Sequence, residues 1–133
     1  MSDVLKFSIP GKPEYVQMVR LAIASIAGKA NYDVDAVEDI KEAVAEGCKF
    51  VFCHGFSGFS NSYEIVCEIR DDSMIIELAD SNSGRDLVKN KKPCLNCPSE
   101  GELSVSVMES LMNEVTVRFD EEGNKNIRMV KNR

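Results

Sequence analysis

The chain carries no surplus of positive charge. Its Lys and Arg number 16 against 22 Asp and Glu, a net charge of -6. Nucleic-acid binding draws on a basic surplus to neutralise phosphates, so the balance argues against that class. No apolar run reaches the roughly 20 residues that a membrane-spanning helix needs. The opening Met1-Ser2-Asp3-Val4-Leu5-Lys6 lacks the basic start and apolar core of a secretion signal. Internal repeats and low-complexity stretches are also missing. Histidine is reduced to one residue, His54. The cysteines, Cys48, Cys53, Cys67, Cys94 and Cys97, are five, so they cannot all pair with one another. Without a secretion signal, a reducing cytoplasm is their expected setting.

What is present is ordinary for a globular protein. With 133 residues, 44% hydrophobic and 29% charged, the chain is long enough for one domain, 1–133, around a real core. The negative charge favours a protein partner with a basic patch.

Periodicity outlines the elements. Leu5, Phe7 and Ile9 alternate with Lys6 and Ser8, which predicts a half-buried strand ending at Pro10-Gly11. Pro13 opens a helix running to about Asn31, with Val16, Val19, Ala22, Ile23, Ile26 and Ala27 as its apolar stripe. Asp33 or Asp35 caps a second helix, roughly Ala36 to Cys53. After the glycine-rich turn 55–61, Tyr63 to Ile69 and Met74 to Ala79 form a hairpin around Asp71-Asp72-Ser73. The second of these strands is almost continuously apolar and is expected at the centre of the sheet. Periodicity then fails from Asp80 to Gly101, which predicts a lid or binding loop. A helix from about Glu102 to Met112 and a last hairpin, Val115–Phe119 with Asn126–Val130, complete an α+β two-layer sandwich.

The second predicted helix holds the most informative residues. Glu46, Phe50 and His54 fall at i, i+4 and i+8 and share one face. A carboxylate and an imidazole on one stripe suit acid/base work or metal binding. A solvated or ion-paired carboxylate at Glu46, a helix-terminal cap at His54 and a core aromatic at Phe50 are the plainer readings.

Three segments in order resemble the GHKL ATPases, the superfamily of histidine kinases, gyrase and anti-sigma-factor serine kinases. They are the Glu46 helix, Leu78-Ala79-Asp80 with Asn82, Gly84 and Asp86, and Glu100-Gly101-Glu102-Leu103-Ser104-Val105. The run Leu111-Met112-Asn113-Glu114-Val115 looks closest to the anti-sigma kinases. The resemblance covers nearly the whole chain. It implies a histidine-kinase-like ATPase (Bergerat-type) fold, with a mixed, mainly antiparallel sheet and helices on one face. It also implies ATP and magnesium as cofactors, a sigma factor and an anti-sigma-factor antagonist as partners, and a homodimer. Carried over residue by residue, Glu46 matches the catalytic base and Asp80 the acceptor for the adenine amino group. His54 matches a histidine common in these kinases, and Asn82, Gly84 and Gly101 fall in the nucleotide motifs.

The chain departs from that pattern at the positions nearest the phosphates. The asparagine that holds magnesium is replaced by Phe50, which has no oxygen for a hard cation. Asn82 replaces a glycine, and Asn tolerates a left-handed backbone better than most residues. The glycine-rich phosphate segment reads Gly101-Glu102-Leu103-Ser104-Val105, and Glu102 brings negative charge. Ser99 and Glu102 have capping-box spacing, so the helix start is expected to satisfy its own amides.

Three functions follow. The first is an anti-sigma-factor-like regulator acting by partner switching, with an eroded ATP and magnesium site and no resident metal. The second is an active serine/threonine kinase that phosphorylates the antagonist. The third is a metal- or redox-sensing module built on Cys94 and Cys97, although one such pair supplies only two of the four ligands of structural zinc.

Overall fold

A computed structural model describes residues 2–10, 13–53, 62–81, 97–119 and 125–133, with the backbone alone at 13, 52–53, 80–81, 97–102, 119 and 125. Strand β1 (Asp3–Pro10) leads through a 3-10 turn, Pro13–Tyr15, into helix α1 (Val16–Lys29). Helix α2 (Val34–Cys53), the strands β2 (Ser62–Ile69) and β3 (Ser73–Ser81), helix α3 (Cys97–Leu111) and the strands β4 (Glu114–Phe119) and β5 (Lys125–Asn132) follow. This is the order that periodicity predicts.

Local chemistry explains the boundaries. In α1 the buried residues are Val19, Ile23 and Ala27, one turn apart, while Met18 and Leu21 face solvent. The helix stops at Asn31, which takes φ 67°. Asn enters the left-handed region at lower cost than other side-chain-bearing residues, and it turns the chain towards α2. Asp33 then caps α2, its Oδ1 accepting from the Ala36 N–H at 2.8 Å. Asp35 falls inside the first turn, where its charge suits the helix dipole.

The third helix differs from expectation. It begins at Cys97 rather than near Glu102, so Ser99 lies within it and does not stand at the N-cap of a capping box. Pro98 supplies the reason. A proline in the first turn carries the right φ already, and the N–H it lacks would have had no helical partner there. The stretch 80–101 expected as a loop is therefore shorter: β3 runs through Ser81 and α3 takes up its last residues. Residues 82–96 between them lie outside the described residues.

The strands form one sheet in the order β1-β2-β3-β5-β4, with β3 central as expected. All of the described pairings are antiparallel, so the mixed character implied by the resemblance is absent among them. Strand alternation puts Tyr63, Ile65 and Cys67, Met74, Ile76 and Leu78, and Ile127 and Met129 into one continuous core. The helices meet it with Val19, Ile23, Ala27, Ile40, Ala43, Val44, Cys48, Met108 and Met112. The opposite sheet face carries charge, including the cross-strand pair Glu77–Arg128 at 3.7 Å. Ile75 and Val130, paired in register on that face, are nonetheless buried.

Gly47 sets how closely α2 lies on the sheet. A Cβ at this position would stand 2.7 Å from Leu78 Cδ1 and 3.3 Å from Met129 Cε. Hydrogen at this position brings the helix backbone against the central strand.

Candidate functional site

Helix α2 carries Glu46 and Phe50 one turn apart. Glu46 is half-buried. Phe50 is 7% exposed and belongs to the hydrophobic core, so its ring serves as packing and not as an intruder in a polar stripe. His54, the third member of the expected stripe, lies outside the described residues.

Helix α3 packs along α2 and adds a residue that periodicity does not single out. Ser104 Oγ donates to Glu46 Oε2 at 3.0 Å, and Ser104 is 2% exposed. The bond joins residues 58 apart in sequence. A hydroxyl that donates to an ionised carboxylate makes a charge-assisted bond, stronger than a neutral one. Chemically, it is also the approach from which a carboxylate draws a proton off an alcohol. Here the alcohol belongs to the protein itself.

The C-terminal end of α3 is fastened separately. Lys131 Nζ donates to the Leu111 carbonyl at 2.6 Å and lies 3.5 Å from Asp39 Oδ2 on α2. A cation at the last carbonyls of a helix matches the negative end of its dipole. Tyr32 donates its hydroxyl to the Lys131 carbonyl at 2.7 Å, so the strand is held from both sides.

Asp80 is at the end of β3, in register with Tyr63. It follows two positions after Leu78, the residue that Gly47 of α2 approaches. Helix α2 thus approaches β3 at Leu78, two residues before Asp80. Asn82 and Gly84 lie outside the described residues. Gly101 and Glu102 are in the first half of α3, where the backbone alone is described. Cys94 lies outside the described residues, and Cys97 is the first residue of α3. Among the described residues, no group of three or more His, Cys, Asp or Glu side chains could hold a metal ion. Cys48 and Cys67 are buried free thiols whose pKa desolvation pushes up to about 12, far from reactive thiolates. No helix among these residues is long and apolar enough to cross a membrane.

An antiparallel five-stranded sheet with three helices against it suits a histidine kinase-like ATPase domain. A model of the histidine kinase-like ATPase domain matches residues 9–131, and the chain belongs to that family. The relatives bear out the resemblance read from the three motifs. The serine-protein kinase RsbW of Bacillus licheniformis is 33% identical over 129 residues, covering 90% of this chain and 80% of the relative. RsbW of Listeria monocytogenes is 32% identical over 133 residues, with 91% and 83% covered. RsbW of Bacillus subtilis is 29% identical over 126 residues, with 88% and 79% covered.

Proposed function

We propose that this protein is an anti-sigma-factor-like regulator that works in the cytoplasm by exchanging protein partners, with a nucleotide site no longer used for phosphoryl transfer. It holds a sigma factor and gives it up when an antagonist protein binds in its place. Membership of the histidine kinase-like ATPase family and the relatives named serine-protein kinases support the general class. The observation that carries the finer reading is the Glu46 carboxylate, engaged by Ser104 and followed one turn later by buried Phe50.

Magnesium needs oxygen ligands in near-octahedral array. The position expected to supply one is an aromatic packed into the core, so the residues present there do not fit the ion. Asp80, Asn82, Gly84 and Gly101 then remain as the outline of a nucleotide site, and Glu46 as a vestigial base position. A homodimer belongs to the same reading. Strand β1 supports it as a sheet edge that carries the exposed Val4 and Leu5.

Calorimetric titration with ATP, with and without magnesium, tests the reading together with phosphate transfer from radiolabelled ATP to a candidate antagonist. The expected result is no magnesium-dependent binding, no rise in melting temperature with nucleotide and no labelled antagonist, since a ligand specific for the native state must stabilise it. Transfer that depends on Glu46 would overturn the reading in favour of an active serine/threonine kinase. The names of the relatives and the retention of Glu46 on α2 are what favour that second reading.

A further inference from the structure

Among the described residues, the inner stripe running through α3 is apolar except at one place. Met108 and Met112 are buried in the core, and Ser104 continues the same stripe one turn towards the N-terminus, 2% exposed. A serine inside a helix ordinarily finds an acceptor on its own backbone, at the carbonyl three or four residues back. Ser110 on this same helix does so, donating to the Val107 carbonyl at 2.7 Å. Ser104 instead reaches across to Glu46 on α2 at 3.0 Å. Its position matches a glycine of the phosphate segment in the family resemblance, where no side chain would be available to make this bond.

We propose that the Ser104–Glu46 hydrogen bond is a pin that fastens the middle of α3 to α2 without nucleotide. It makes Ser104 a positioning residue for this seam. The inference rests on the reading of Glu46 as a base position no longer used for transfer, and it gives that position a present role. Lys131 already anchors the rear of α3 through the Leu111 carbonyl. With Ser104 holding the middle, the described part of the helix has polar anchors on either side of buried Met108. One acceptor site of the half-buried Glu46 carboxylate, on Oε2, is thereby engaged from within the protein. The surface that α2 and α3 form together therefore keeps one arrangement whether or not nucleotide is present, and so does its affinity for a protein partner.

Amide hydrogen exchange across residues 103–108 tests the pin in the full chain. The set comprises wild type, Ser104→Ala, Glu46→Ala, the double variant and Glu46→Gln, each first shown by circular dichroism to be folded. The pin predicts that exchange rises about tenfold, the factor for an opening equilibrium shifted by one such bond, in both alanine variants. The double variant should exchange no faster than either single one. Glu46→Gln keeps an acceptor oxygen for the Ser104 hydroxyl and should stay near wild type, which a mere change of helix packing would not explain. Exchange in Ser104→Ala within twofold of wild type overturns the pin, and so do additive effects in the double variant. Repeating the wild-type measurement with ATP and magnesium adds a further arm. Protection that appears only with nucleotide overturns the pin. Phosphate transfer to an antagonist would refute the functional reading alone and leave the exchange comparison standing.

Discussion

Position 50 shows how one side chain decides between chemistry and packing. The resemblance asks for an amide oxygen there, and the fold places a phenyl ring in the core, 7% exposed. Phe50→Asn would restore the ligand type while removing a large apolar group and burying an amide. Losses for truncating a buried phenylalanine run to about 3–5 kcal/mol, and an unpaired polar group adds to them. The substitution should therefore lower the unfolding free energy by about 3 kcal/mol or more, read from the urea midpoint. A variant as stable as wild type would show that the ring is not packing the core. Helical spacing made the shared face of Glu46 and Phe50 legible in the sequence, and the family resemblance alone implied the missing oxygen at position 50. The partner of Glu46 was not legible. Ser104 appeared there as a replaced glycine, and nothing in local periodicity connects two residues 58 apart.

At the scale of elements, the contact between α2 and β3 depends on the absence of a side chain at Gly47. Alanine is the better helix former by about 1 kcal/mol. Its Cβ would meet Leu78 Cδ1 at 2.7 Å, with Met129 Cε and Met108 Sδ at 3.3 and 3.4 Å behind it. Overpacking a filled core costs about 1–3 kcal/mol, so crowding should win over propensity. Gly47→Ala is expected to lower stability by about 1 kcal/mol in chemical denaturation, against the sign of the helix scale. A stabilised variant would mean that the leucine yields freely. Element order, the central place of β3 and the hairpins followed from apolar patterning alone. The start of α3 did not. Ser99, Glu102 and Gly101 imitate the chemistry of a helix start, and the real first turn is marked only by Pro98. The antiparallel path of every described pairing was also less certain from sequence, since strand periodicity reports faces and not directions.

For the whole molecule, the buried thiols set how stability responds to alkali. Desolvation raises Cys48 and Cys67 from 9.0 to about 12 in the folded state. Above pH 9 the unfolded chain loses these protons and the folded one keeps them. Their contribution is thus complete below pH 9 and is lost as pH rises towards 12. Tyr32 acts in the same direction above pH 10, its pKa raised chiefly by burial. Unfolding free energy should fall by about 1.4 kcal/mol per pH unit for each thiol in that window. A Cys48→Ala/Cys67→Ala protein should lose most of that slope in denaturant titrations from pH 8.5 to 11, and an unchanged slope would rule out the thiols as its source. A different consequence attaches to the strand order. β5 follows β4 in sequence, yet it lies between β3 and β4. As the chain is made, β4 is finished before the neighbour that joins it to the sheet exists, and β3 waits with an open edge. Translation adds about 5–20 residues per second, so that interval is brief but not zero. An exposed apolar strand edge is an invitation to mispairing. The order of synthesis, with β5 after β4, thereby governs when β4 can join the sheet.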